Sequence, residues 1–136
     1  MEIHLIWAQD KNGGIGSNGK LPWHVSEDLQ NFKNLTLNST IIMGRKTWDS
    51  LNQKQLPNRK NIVLSSTNQE GVETFHSYNN CIKALKKNNI KKVYIVGGRS
   101  IYKLFFHFAD FLHITQIKIL KPNINEYFPI TMDEVK

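Results

Sequence analysis

Short apolar runs rich in β-branched residues alternate along the chain with longer stretches whose apolar positions recur at helical spacing. That alternation predicts an α/β domain. The extended runs predict strands at Glu2–Ala8, Thr40–Met43, Asn61–Ser65, Val72–Phe75, Lys92–Val96 and Phe111–Ile119. Helical patterns fill the spaces between them. Ser26 reads as the N-cap of a helix over Glu27–Thr36, with Glu27 and Asp28 in the first turn, where the positive end of the helix dipole favours acids. Gly44 opens a short helix through Leu51. Ser77 caps Tyr78–Asn88, whose Cys81, Ile82 and Leu85 fall on one face, and Gly98–Ser100 opens a last helix through Phe108.

The irregular stretch is Asp10–Val25, a glycine-rich loop directly after the first strand that ends in Leu21-Pro22-Trp23. Its Gly14-x-Gly16-x-x-Gly19 matches the dinucleotide fingerprint in letters only. A Rossmann turn opens straight into a helix, whereas here Lys20 to Trp23 intervene and Pro22 blocks helix continuation. The stretch reads as a lid, and Trp23 argues against a plain surface loop, because a large aromatic in polar sequence has something to cover.

Composition narrows the class without choosing a function. At 136 residues the chain is one domain, spanning 1–136, large enough to bury roughly two-thirds of its unfolded surface without staples. It has no internal repeat and no low-complexity linker. A single cysteine excludes an internal disulfide and a thiolate zinc site, and it points to a reducing compartment, the cytoplasm. The five histidines lack metal-binding spacing, so no metal is expected. No apolar run reaches the length of a bilayer span, and the N-terminus does not read as a leader. Net charge is +7, which suits an anionic partner. Only three of the eighteen cations are Arg, so each Arg is read individually.

Two strand ends carry candidate chemistry. Thr40-Ile41-Ile42-Met43-Gly44-Arg45-Lys46-Thr47 places two cations and a hydroxyl at a helix start, where cations are unfavourable unless an anion binds there. Solvated surface charge is the competing reading. Ile95-Val96-Gly97-Gly98-Arg99-Ser100-Ile101-Tyr102 repeats the plan, with paired glycines that let backbone approach a ligand or simply form a tight turn. Asp28 borders the apolar face formed by Leu29, Phe32 and Leu35, although a first-turn Asp is ordinarily solvated. Leu56-Pro57-Asn58-Arg59 presents an Arg suited to a carboxylate, or to a structural salt bridge. No nucleophile-elbow or P-loop pattern occurs.

Taken in order, Ala8 at the end of the first strand, Ile15-Gly16, Leu21-Pro22-Trp23, Asp28-Leu29-x-x-Phe32, Met43 to Trp48, Leu56-Pro57-x-Arg59, Ser65-Ser66, Val96-Gly97-Gly98 and Tyr102 resemble dihydrofolate reductases of the bacterial type, from about Ile3 to Pro129. The resemblance implies a three-layer α/β fold with a mixed, mostly parallel sheet flanked by four helices, and an adenosine-binding subregion at about 39–89. It also implies NADPH-dependent reduction of 7,8-dihydrofolate. Asp28 and Trp23 are then the catalytic candidates. Ile6, Asp28, Leu29, Phe32, Leu51, Leu56, Arg59 and Thr115 are the substrate-binding ones. The cofactor falls to Ala8, Ile15, Gly16, Gly44, Arg45, Lys46, Thr47, Ser65, Ser66, His76, Val96, Gly97, Gly98, Arg99, Ser100 and Tyr102.

Alternatives of other kinds are a related pterin or pyrimidine reductase, a cofactor-binding relic, and a basic nucleic-acid-binding module. The last lacks interleaved stacking aromatics, so neither nucleic acid nor membrane is an expected partner. Family chains continue beyond the Phe128-Pro129 region into a hairpin at one sheet edge. Its absence here leads us to expect an open edge at Phe111–Ile119 and self-association through it, in a family of monomers.

Overall fold

The computed structural model describes residues 1–10, 14–16, 26–117, 126–127 and 129. In chain order the elements are β1 (Glu2–Asp10), β2 (Gly14–Gly16), α1 (Ser26–Thr36), β3 (Thr40–Gly44), α2 (Arg45–Ser50), β4 (Lys60–Leu64), β5 (Glu73–Phe75), α3 (Tyr78–Lys87), β6 (Lys92–Gly97), α4 (Arg99–Phe105), a 3-10 turn (Phe106–Phe108), β7 (Phe111–Ile117) and β8 (Glu126–Tyr127). Six strands pair in the order β5-β4-β3-β6-β1-β7, and every described pairing among them is parallel. Among the described residues antiparallel pairing is confined to β2 with β8.

A parallel sheet is covered on both faces, and the period of two in each strand supplies a core to each. From β1, β3 and β4, the residues Ile3, Leu5, Trp7, Ile42, Ile62 and Leu64 join Cys81 and Leu85 of α3 and Ile101, Tyr102 and Phe105 of α4. The residues on the opposite face, Ile41, Met43, Val63 and Tyr94, pack on the fully buried Trp48 of α2, with Ile6, Leu51, Leu56 and Val96 at their margin. This gives the layered α/β architecture expected. No helix among the described residues is long and apolar enough to cross a membrane.

Local chemistry accounts for most boundaries. The Ser77 hydroxyl accepts from Asn80 N at 3.1 Å and starts α3 as its side-chain cap, worth about 1 kcal/mol. Most boundaries fall within one residue of expectation, and three differences among the described residues are larger. β1 runs on to Asp10 because its pairing with β7 continues to Asp10↔Ile117. Gly14–Gly16, expected as loop, forms a short strand against Glu126–Tyr127, a partner too distant in sequence for local patterning to reveal. The last helix ends at Phe105 and tightens into a 3-10 turn, with Ala109 N donating to Phe106 O. The remainder of the expected lid, at 11–13 and 17–25, lies outside the described residues, as does Trp23.

Candidate active site

The carboxyl ends of β1, β3 and β6 converge, and the two glycine-led helix starts lie between them. Gly44 precedes α2 and Gly98 precedes α4, each as the N-cap residue without a side-chain cap bond. Gly97 has φ +129, a conformation that favours glycine, and the Gly97–Gly98 peptide is cis. A Cβ on Gly97 would meet Thr47 Oγ1 at 3.3 Å and the Tyr102 hydroxyl at 3.4 Å, so the β3–α2 and β6–α4 segments touch here through small groups only. Gly44 has another reason to be glycine: a Cβ there would meet Ile101 Cγ1 at 2.8 Å. The close approach at Gly44 is to α4 across the sheet top.

Tyr102 is buried, and its hydroxyl donates to Ile6 O at 2.9 Å, tying α4 to β1. Burial pushes the phenol far above its ordinary pKa, so it stays a neutral donor. Of the residues assigned to a cofactor by resemblance, Tyr102 therefore acts from inside the core. Ala8 of β1 is in register with Thr115 of β7. Ile6, Leu51, Leu56 and Val96 are half-buried around the Trp48 cluster.

Several cationic and hydroxyl groups stand exposed or half-exposed at the same end. Arg45 Nη1 lies 3.0 Å from Asp49 Oδ2, one helical turn on, so part of the reason for a cation in the first turn of α2 is internal to the helix. Lys46 has no ion-pair partner among the described residues, and Thr47 is half-buried. Arg99 and Ser100 are exposed at the start of α4. After β4, Ser65 Oγ accepts from Thr67 N at 3.2 Å, Ser66 is exposed, and His76 Nδ1 lies 2.9 Å from Ser65 O. A carbonyl only accepts, so His76 carries its proton on Nδ1 and presents Nε2 outward.

Among the described residues Arg59 is the most constrained cation. Its Nε donates to Pro57 O at 3.0 Å, its Nη1 donates to Thr36 Oγ1 at 3.0 Å, and its guanidinium lies 6.0 Å from the Phe32 ring centroid. The Thr36 hydroxyl in turn donates to Phe32 O at 2.8 Å from a fully buried position. Asn61, also buried, accepts from Leu56 N at 2.9 Å and donates to Leu56 O and Arg59 O, each at 3.0 Å, which fixes the turn that Arg59 leaves from. Arg59 has no carboxylate within ion-pair distance among the described residues, and partial burial lowers its pKa. Two nitrogens braced and the rest unmatched leave a fork shaped for an incoming carboxylate.

Thr36 and Asn61 were not picked out in the sequence. An Asn inside the apolar run Asn61–Leu64 was a readable signal, whereas Thr36 at a helix end was not. The backbone of α1 carries Asp28 and Leu29, and β2 carries Ile15 and Gly16; the side-chain placement of these residues lies outside the described structure.

A six-stranded parallel sheet bearing glycine-led helix starts, basic groups and a braced arginine defines an α/β enzyme that binds anionic ligands over the carboxyl ends of its strands. The chain matches the dihydrofolate reductase family over residues 2–136. It is 40% identical over 118 residues to the dihydrofolate reductase of Ureaplasma parvum, covering 85% of this chain and 75% of that one. It is 46% identical over 121 residues to the dihydrofolate reductase of Buchnera aphidicola from Acyrthosiphon pisum, covering 88% and 74%. The fold superposes on dihydrofolate reductase from Enterococcus faecalis, solved in complex with NADP(H) and RAB-propyl, with TM-score 0.87 and 35% identity over 95% of this chain and 77% of that one. The chain belongs to the dihydrofolate reductase family.

Proposed function

We propose that this protein reduces 7,8-dihydrofolate to 5,6,7,8-tetrahydrofolate with NADPH. The observation that carries the reading is Arg59, a braced, partly buried guanidinium that lacks an acid partner among the described residues and suits the carboxylate of a folate tail. Phe32 and Leu56 wall the aminobenzoyl part, with Ile6, Leu29, Leu51 and Thr115 around the pterin. Asp28 accepts hydrogen bonds from the pterin and stabilises its protonated form, and Trp23 borders the path by which the proton arrives.

The donor set fits a phosphorylated dinucleotide: exposed Arg45 and Lys46, the Thr47 hydroxyl, Ser65, Ser66, His76, Arg99 and Ser100 around two helix starts. NADPH, when bound, supplies the hydride. Ala8, Gly97 and Gly98 offer small groups against which its ring can lie, Ile15, Gly16 and Val96 are assigned to the same side by the family resemblance, Gly44 serves as the start of α2, and Tyr102 holds β1 in place behind the ring. The protein's own work is alignment, charge placement and exclusion of water. The same reading makes residues 1–136 one domain, with an adenosine subregion at about 39–89, working in the cytoplasm. Among the described residues β7 has a strand partner on one side only, and Phe111 on it is 47% exposed. We carry self-association through this edge as a proposal, tested by sedimentation over a concentration series.

The reaction itself is tested by following NADPH absorbance at about 340 nm with dihydrofolate. Loss of absorbance that depends on dihydrofolate is expected. NADPH binding without turnover would identify a relic instead, and turnover only with tail-less pterins a related reductase.

A further inference from the structure

Three ionisable side chains at the start of β1 and β7 form a chain that the reaction does not use. His4 Nε2 lies 2.9 Å from Glu2 Oε1, and His4 Nδ1 lies 2.9 Å from His113 Nε2, across the two strands. The imidazole planes are 11° apart with centroids separated by 5.2 Å, about the largest separation that such an N···N contact allows, so the rings meet edge-on and in line. His4 is 7% exposed, with the Phe111 ring stacked on it at 4.6 Å and the Tyr94 ring tilted against it at 4.8 Å.

The carboxylate settles the proton positions. An ionised Glu2 only accepts, so His4 donates from Nε2, its Nδ1 is bare, and His113 Nε2–H donates to it. The pair can take one proton and keep this bond, because a singly charged pair still has one donor and one acceptor facing each other. A second proton removes the acceptor, and two imidazoliums then meet N–H to N–H.

We propose that Glu2, His4 and His113 form an acid-sensitive clasp that fastens β7 to β1 and opens when both imidazoles are protonated, loosening the part of β7 that carries Thr115. Thr115 follows His113 by two residues, on the same face of the strand, and is in register with Ala8. Acid therefore acts on the site through a strand and not through a group touching the ligands.

The surroundings set the direction. Among the described residues the titratable groups around the pair are Glu2, Lys92 and Tyr94 from β6, with Lys92 Nζ 5.6 Å from the Tyr94 ring, and Asp110, whose carboxylate accepts from Ile3 N at 2.9 Å. Desolvation, then His4, then Lys92 hold the His113 pKa below its ordinary value. The unfolded chain therefore takes its proton first. Stability from this group is whole above about pH 6.5 and is lost as pH falls from there through the lowered folded value.

Hydrogen exchange of the whole chain, corrected for intrinsic pH dependence, tests the clasp. Between about pH 7.5 and about pH 5, protection of β7 amides should fall about tenfold more than that of β3 amides. In His113→Phe, which keeps a ring but cannot titrate, the difference between strands should shrink below about twofold. His113→Gln, whose amide still donates to His4 Nδ1, should behave alike and serves if the Phe variant fails to fold. Equal loss in β7 and β3 of the wild type would overturn the proposal, as would a β7-specific loss that persists in either variant.

Discussion

Thr36 Oγ1 accepts from Arg59 Nη1 at 3.0 Å while donating to Phe32 O at 2.8 Å, so one buried hydroxyl joins the last turn of α1 to the arginine of a distant turn. Helix and guanidinium are thereby held as one unit. Asp28 and Phe32 lie on that helix, so the proposed pterin and carboxylate ends of the site share one structural reference.

Replacing Arg59 tests the tail site most directly. Arg59→Ala should raise KM for dihydrofolate about tenfold to a hundredfold, the equivalent of one charge-assisted pair, with kcat and NADPH affinity little changed. Thr36→Val should give a smaller rise in the same constant, and Thr36→Ser should restore it. Steady-state kinetics with titrated cofactor decide the matter, and a shift in NADPH affinity would show that the tail site is misplaced.

Arg45 is shared between Asp49 and the proposed phosphate. Arg45→Ala should weaken NADPH far more than NADH, by about 1.5–3 kcal/mol, because only NADPH carries the extra phosphate. Asp49→Ala should leave that preference intact, since the exposed pair is worth about 0.3–0.5 kcal/mol at most. Fluorescence titration of both dinucleotides separates the two effects. Equal weakening of both would leave Arg45 only its helix partner.

Asp28→Asn should retain NADPH binding and reduce kcat near neutral pH by about a hundredfold or more, because an amide cannot carry the charge that favours a protonated pterin. The loss should diminish as pH falls and solvent protonates the substrate unaided. A rate equal to wild type across the pH range would remove Asp28 from the chemistry.

Gly44 offers a test of packing alone. A methyl group there meets Ile101 Cγ1 at 2.8 Å, and Ile101 is itself buried, so Gly44→Ala should cost about 1–3 kcal/mol. Ile101→Ala, which removes Cγ1, should cost less in the Gly44→Ala background than in the wild type. Urea denaturation of the single and double variants measures the coupling, and additive losses would mean that the strain lies elsewhere.

What the sequence determined by itself is what depends on neighbours a few residues apart. The alternating runs placed each strand of the main sheet, because burial on both faces demands near-continuous apolar segments. Ser77 was legible as a cap because its partner, Asn80 N, is three residues away. The motif order from Ala8 to Tyr102 was legible too, and with it the family. Tertiary structure alone decided what depends on contacts across the fold. His4 meets His113 from 109 positions away, Tyr102 reaches Ile6 O from 96, and Arg59 finds Thr36 from 23. In each case the energy of the contact resides in a partner that no local pattern specifies. Gly44 shows the difference most plainly: its sequence neighbours predicted a helix start, whereas only the packing of α4 on the sheet shows that a side chain there would meet Ile101.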